Sequence, residues 1–267
     1  MTLTIRELIK IMEKYAPTNL KEDYDNVGLM VGDTDMEIQS ILISLDCTME
    51  VIEEAIENGC NLIISHHPLL FIKPKSITSE TVKGRKIIKL IKENIALYSA
   101  HTNLDSVSDG LNDFAMELLG FKKYSIIEKN DLRENSGIGR LVELDKEISL
   151  KEICEKVKIA YNIETLKYSG NLDKKIRSIA LINGSGSDFF YKAKSLGAEC
   201  IITGDTTYHN VLDLCEEGVS VIDGGHFNTE WPAMAVVSKI LQKNLKKLGY
   251  ENKIILSEKT KDTYKYI

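Results

Sequence analysis

The strongest constraint in this sequence is a strand–helix–strand pattern that occurs twice. Ile41-Leu-Ile-Ser followed by Asn58-Gly-Cys-Asn-Leu-Ile-Ile-Ser65 has a counterpart in Ile179-Ala-Leu-Ile followed by Leu196-Gly-Ala-Glu-Cys-Ile-Ile-Thr203. Ile41 to Ile179 and Gly59 to Gly197 are both 138 positions apart. Further on, His101-Thr-Asn-Leu-Asp105 is matched by His226-Phe-Asn-Thr-Glu230 at a spacing of 125. Short apolar runs separated by longer amphipathic segments read as βαβ units whose strands are buried on both faces. Doubled, they predict an α/β chain of two similar lobes with mostly parallel sheets. A site is expected between the lobes, at the C-terminal ends of the strands.

The spacing predicts helices over 3–15, 49–58, 83–94, 109–119, 150–160, 188–196 and 232–248. Strands are expected over 41–45, 62–65, 95–99, 139–144, 176–182, 200–203 and 219–223, and one more at 253–257. The polar stretch 121–136 reads as a crossover loop or boundary. The first lobe is therefore expected over 1–128, joined by the tail 250–267, and the second over 129–249.

Composition narrows the function. The 34 Lys and Arg against 40 Asp and Glu leave a net charge of −6, which disfavours neutralising a phosphate backbone as the main task. Five cysteines without a C-x-x-C pair read as reduced thiols in a cytoplasmic protein rather than a zinc ribbon or disulfide framework. No apolar run approaches the roughly 18 residues that a membrane helix needs, so no membrane partner is expected.

The histidines number five, and four follow apolar strands: His66 and His67 after 62–65, His101 after 95–99, and His226 after 219–223. Pro68 stops its strand, so both neighbouring imidazoles can reach one site. Asp105 and Glu230 each lie four residues beyond a histidine. Imidazole and carboxylate without thiolate suit two divalent ions drawn from zinc, manganese, iron, cobalt or nickel. The set exceeds what one tetrahedral ion uses, and a carboxylate can bridge two ions about 3.5–4 Å apart. In the repeat segment Thr203-Gly-Asp205-Thr-Thr-Tyr-His209, the side chains of Asp205, Tyr208 and His209 are candidates for orienting or proton-transfer roles, with capping or solvation the competing reading. Asn183-Gly-Ser-Gly-Ser-Asp188 reads as a plain βα turn rather than an anion nest, and Lys239, Lys243, Lys246 and Lys247 as the wet face of the last helix.

Four segments resemble the NIF-three-like dinuclear metal-binding family, whose members are labelled GTP cyclohydrolase 1 type 2 homologues. They are Tyr24-Asp-Asn-Val-Gly-Leu-Met-Val-Gly32, Ile64-Ser-His-His-Pro-Leu69, Ala100-His-Thr-Asn-Leu-Asp105 with Gly110-Leu-Asn112, and Gly225-His-Phe-Asn-Thr-Glu230. Tyr24 stands where the family commonly has Trp, and the length matches the short form without an inserted middle domain. The resemblance implies that His66 and His226 hold one metal, His67 and Asp105 the other, and that Glu230 bridges. It makes His101 an auxiliary ligand or near neighbour. Glu230 and His101 are the catalytic candidates, and Asn103, Asp205 and His209 are candidates for orienting or substrate-facing roles. It also implies a homohexamer and hydrolysis of a nucleotide or related small molecule, the alternative being a non-catalytic metal-binding scaffold or metal-handling protein.

Overall fold

A computed structural model describes residues 2–265 and 267. In chain order the elements are α1 Ile5–Tyr15, β1 Gly28–Val31, β2 Ser40–Ser44, α2 Met49–Glu57, β3 Leu62–Ser65, α3 Val82–Lys92, β4 Ala96–Ser99, α4 Thr102–Ser106 and α5 Leu111–Leu118. There follow β5 Ser125–Lys129, β6 Gly137–Ser149, α6 Leu150–Tyr161, β7 Lys167–Ser169, β8 Lys175–Leu181, α7 Phe190–Ser195, β9 Cys200–Thr203, α8 Tyr208–Glu216, β10 Ser220–Asp223, α9 His226–Lys247 and β11 Lys253–Leu256. The chain packs as two compact units: Met1–Leu104 with Met234–Lys261, and Asp105–Ala233 with Asp262–Ile267.

The first unit carries a sheet in the order β1-β4-β3-β2-β11. Strands β4, β3, β2 and β11 are parallel, while β1 runs antiparallel to β4 through a register shift between Leu29 and Val31. Leu42, Ile63 and Leu97 lie side by side across the sheet and pack with Val51, Ile52 and Ala55 of α2 and Leu90 of α3. Fully burying each such Leu, Ile or Val contributes roughly 1.5–3 kcal/mol. Local chemistry sets the helix starts. Thr4 and Glu7 form a reciprocal capping box that begins α1 two residues later than the apolar spacing predicts.

The second unit carries a sheet in the order β5-β6-β8-β9-β10-β7. Its repeated part, β8-β9-β10, is parallel like β2-β3-β4. Strands β5, β6 and β7 join it antiparallel, so this sheet is mixed where the βα alternation predicts a mostly parallel one. Strand β5 lies inside the polar stretch expected to be a crossover. Its two isoleucines between charged residues are too few to announce a strand, and pairing with β6 supplies what the local pattern lacks.

The junction between the units falls at Leu104 rather than at 128. Asp113 of α5 is ion-paired with the fully buried Arg140 of β6, which also donates to the Gly137 and Gly139 carbonyls at 2.7 and 3.0 Å. That bond ties α5 to the second sheet. Among the described residues the cysteines are free thiols, and no helix is long and apolar enough to cross a membrane.

Candidate metal centre

In the first unit His66 follows β3 directly, and the turn at Pro68 lets His67 lie beside it. The His66–His67 and His66–His101 ring centroids are 5.1 and 5.0 Å apart, and ligand atoms of all three histidines lie within 4.8 Å of one another. Such spacing suits ligands around one ion or two adjacent ions. Each ring is oriented through Nδ1. His66 Nδ1 lies 2.8 Å from the Ala100 carbonyl, His67 Nδ1 3.0 Å from Asp46 Oδ1, and His101 Nδ1 2.9 Å from Asp25 Oδ1. A carbonyl can only accept, so His66 carries its proton on Nδ1 and presents the Nε2 lone pair. Carboxylates impose the same tautomer on the other two, the arrangement by which metal-binding histidines are held.

Asp25 is almost fully buried and also accepts from the Thr102 amide at 3.1 Å and hydroxyl at 2.5 Å. Burial alone would raise its carboxyl. The hydrogen bonds and charge of His101 and Thr102 outweigh burial and hold the carboxyl at about 2.

The second unit repeats the device. His226 opens α9 after β10, with Nδ1 2.8 Å from Asp205 Oδ2 and Nε2 3.1 Å from Oε2 of the buried Glu230 one turn on. Gly184, after β8, presses against this pair. A Cβ there would stand 2.4 Å from Glu230 Oε1 and 3.3 Å from His226 Nε2. Asp223 accepts from the Gly225 amide at 2.9 Å and the Thr206 hydroxyl at 2.6 Å, fixing the loop that delivers His226. Burial opposes ionisation of Asp223, but Lys167, Thr206 and Gly225 prevail and lower its pKa.

Residues 3–263 match the family model Duf34/NIF3 (NGG1p interacting factor 3). The chain belongs to the Duf34/NIF3 family. A relative from Clostridium acetobutylicum described as a GTP cyclohydrolase 1 type 2 homolog is 54% identical over 267 residues, covering 100% of both chains. A Listeria innocua relative with the same description aligns over 366 residues at 26% identity, covering 97% of this chain and 98% of its own. That alignment is longer than this chain, so the Listeria protein carries sequence that is missing here. A crystal structure of a Staphylococcus aureus hypothetical protein superposes with a TM-score of 0.92 at 30% identity, covering 100% of each chain.

The remaining candidates of this Duf34/NIF3 chain fall in different settings. Asp105 is half-buried on α4, and its backbone carbonyl accepts from Asn112 Nδ2 at 3.0 Å. Asn103 is fully buried. It accepts from the His101 amide at 3.0 Å and donates to the Ala16 carbonyl at 2.7 Å, so it shapes the backbone under His101. Asp205 holds His226 as described. His209 is exposed on the first turn of α8, its ring 5.4 Å from that of Tyr208.

Three contributors escaped the sequence reading. The motif around Asp25 gives that residue no evident role, Asp46 carries no sequence signal, and the segment around Gly184 reads as a plain turn. The paired glycines of Asn183-Gly-Ser-Gly were the available hint of close backbone approach.

Proposed function

We propose that this chain is a cytoplasmic, metal-dependent hydrolase of a nucleotide or related small molecule, holding two divalent ions through His66, His67, Asp105, His226 and Glu230. The observation that carries the reading is the treatment of four imidazoles. Each is held through Nδ1 by a carbonyl or carboxylate, which leaves Nε2 as the acceptor, towards an ion in His66, His67 and His226 and towards a proton in His101. The donors are imidazole and carboxylate without thiolate, which fits zinc, manganese, iron, cobalt or nickel. The description of the Clostridium acetobutylicum relative as a GTP cyclohydrolase 1 type 2 homolog supports the nucleotide. We further propose a homohexamer, as the family resemblance implies.

Two bound divalent ions would make water acidic enough to attack at neutral pH and steady the negative charge that develops on the substrate. The chain's own groups do the rest. Glu230, whose Oε2 lies 3.1 Å from His226 Nε2, takes the proton released by the attacking water. His101, backed by an ionised Asp25, accepts or returns a proton at Nε2 next to the leaving group. Asn103 and Thr102 keep that histidine in place.

Elemental analysis of purified protein, then a nucleotide and phosphoester panel with added Mn, Zn, Fe or Co, tests the reading. About two ions per chain and turnover are expected, with turnover falling at least about 100-fold in Glu230→Gln, the scale of a lost general base. Unchanged hydrolysis in Glu230→Gln or His66→Ala, with less metal bound, would sink the mechanism. Bound metal and a stable oligomer without turnover on any probe would favour the scaffold instead.

A further inference from the structure

We propose that Tyr24 and Phe71 form a stacking platform beside the histidine cluster that selects substrates carrying a planar aromatic heterocycle; this rests on the hydrolase reading of that cluster. Both rings face water, Tyr24 at 58% and Phe71 at 44% exposure. They are not scattered surface residues. Their centroids are 6.2 Å apart with planes at 60°, and Phe71 meets His101 edge-on at 6.3 Å and 77°. A series of rings therefore runs from solvent to His101, which lies 5.0 Å from His66 and 5.6 Å from His67.

Polar bonds fix the platform to the cluster. Asn26 Nδ2 donates to the Leu70 carbonyl at 2.8 Å, and the Phe71 amide donates to Pro68 at 3.2 Å. Asp25, between Tyr24 and Asn26, grips His101. The segment that orients a candidate catalytic histidine thus also sets the two aromatic rings. Tilted and edge-on rings at these separations leave faces on which a flat heterocycle can stack. Every nucleobase has such a face, so the platform selects the class of substrate and not the identity of the base.

Calorimetry on the full-length, metal-loaded protein tests this with guanosine 5′-monophosphate, adenosine 5′-monophosphate and ribose 5-phosphate, which lacks the aromatic base. Both nucleotides are expected to bind at least about tenfold more tightly than ribose 5-phosphate, the scale of one stacked base. Phe71→Ala and Tyr24→Ala should each weaken the nucleotides about fivefold or more and leave ribose 5-phosphate unchanged, while Phe71→Trp keeps the preference. Metal content should match wild type in all three variants. Equal binding of the nucleotides and ribose 5-phosphate to wild type overturns the proposal. So does undiminished nucleotide binding by both alanine variants, including the case in which those variants change only the oligomer's mass. Ring-selective binding without turnover counts against the hydrolase reading alone, and turnover without ring preference counts against the platform alone.

Discussion

At Gly184 the chain turns with φ +60° directly beneath a carboxylate, and a methyl group there would stand 2.4 Å from Glu230 Oε1. Gly184→Ala therefore meets two penalties: a left-handed backbone that costs an L-residue about 1 kcal/mol or more, and a forced shift of Glu230. The expected result is a lower melting temperature together with metal affinity reduced about 10–100-fold, the range for disturbing a ligand's support. Unchanged metal titration would separate this glycine from the proposed site.

Asp25 gives a pH signature. Its folded pKa of about 2 lies below the unfolded value near 3.9. Its stabilisation, of order 2 kcal/mol, is therefore complete above pH 4 and lost as pH falls towards 2. Metal-free Asp25→Asn should be less stable than wild type at pH 7, and the two chemical-denaturation curves should converge between about pH 4 and pH 2. A gap that persisted at pH 2 would exclude the carboxylate's charge as its source.

The four strand-end histidines were legible because a local pattern and its repeat announced them. Asp25 and Asp46 were not, since they meet His101 and His67 from 76 and 21 residues away and only the folded sheet brings them together.

Among the elements, the C-terminal strand shows how much one buried group can organise. Glu54 of α2 is only 5% exposed, and its carboxylate accepts from the Glu258 amide at 2.7 Å and from the Ser257 hydroxyl. Those bonds clamp the chain just after β11, which is parallel to β2 at the sheet's edge. Glu54→Ala should cost about 1–3 kcal/mol in urea unfolding, the range for hydrogen bonds to a charged group. It should also raise hydrogen exchange in β11 while leaving β3 and β4 protected. Equal protection throughout would show that β11 is held by pairing with β2 alone.

The strand was legible from its apolar run, and the tail was expected to join the first lobe, but its pairing with β2, 213 residues away at Lys253 and Ser40, was not. Helix α9 was only half legible. Pro232 suggested a start there, yet the helix begins at His226, because the Thr229 amide bonds the Gly225 carbonyl and adds turns before the proline. Those added turns place His226 and Glu230 four apart on one helix face.

For the whole molecule, the decisive question is whether donors from both halves of the sequence serve the same ions. Metal bound only by the folded chain stabilises it by about 4 kcal/mol when present at a thousandfold over its Kd. For domains of roughly 150–250 residues each kcal/mol moves the melting temperature by about 2–4 °C, so chelation should lower it by on the order of 10 °C and added Mn or Zn should restore it. If His66 and His226 ligate a common pair of ions, His66→Ala and His226→Ala should each remove most of that response, although they lie in different repeats. Calorimetric scans of the two variants with and without chelator decide the matter. An undiminished response in either variant would mean that its histidine is not a ligand, and the proposed dinuclear ligand set would have to be abandoned.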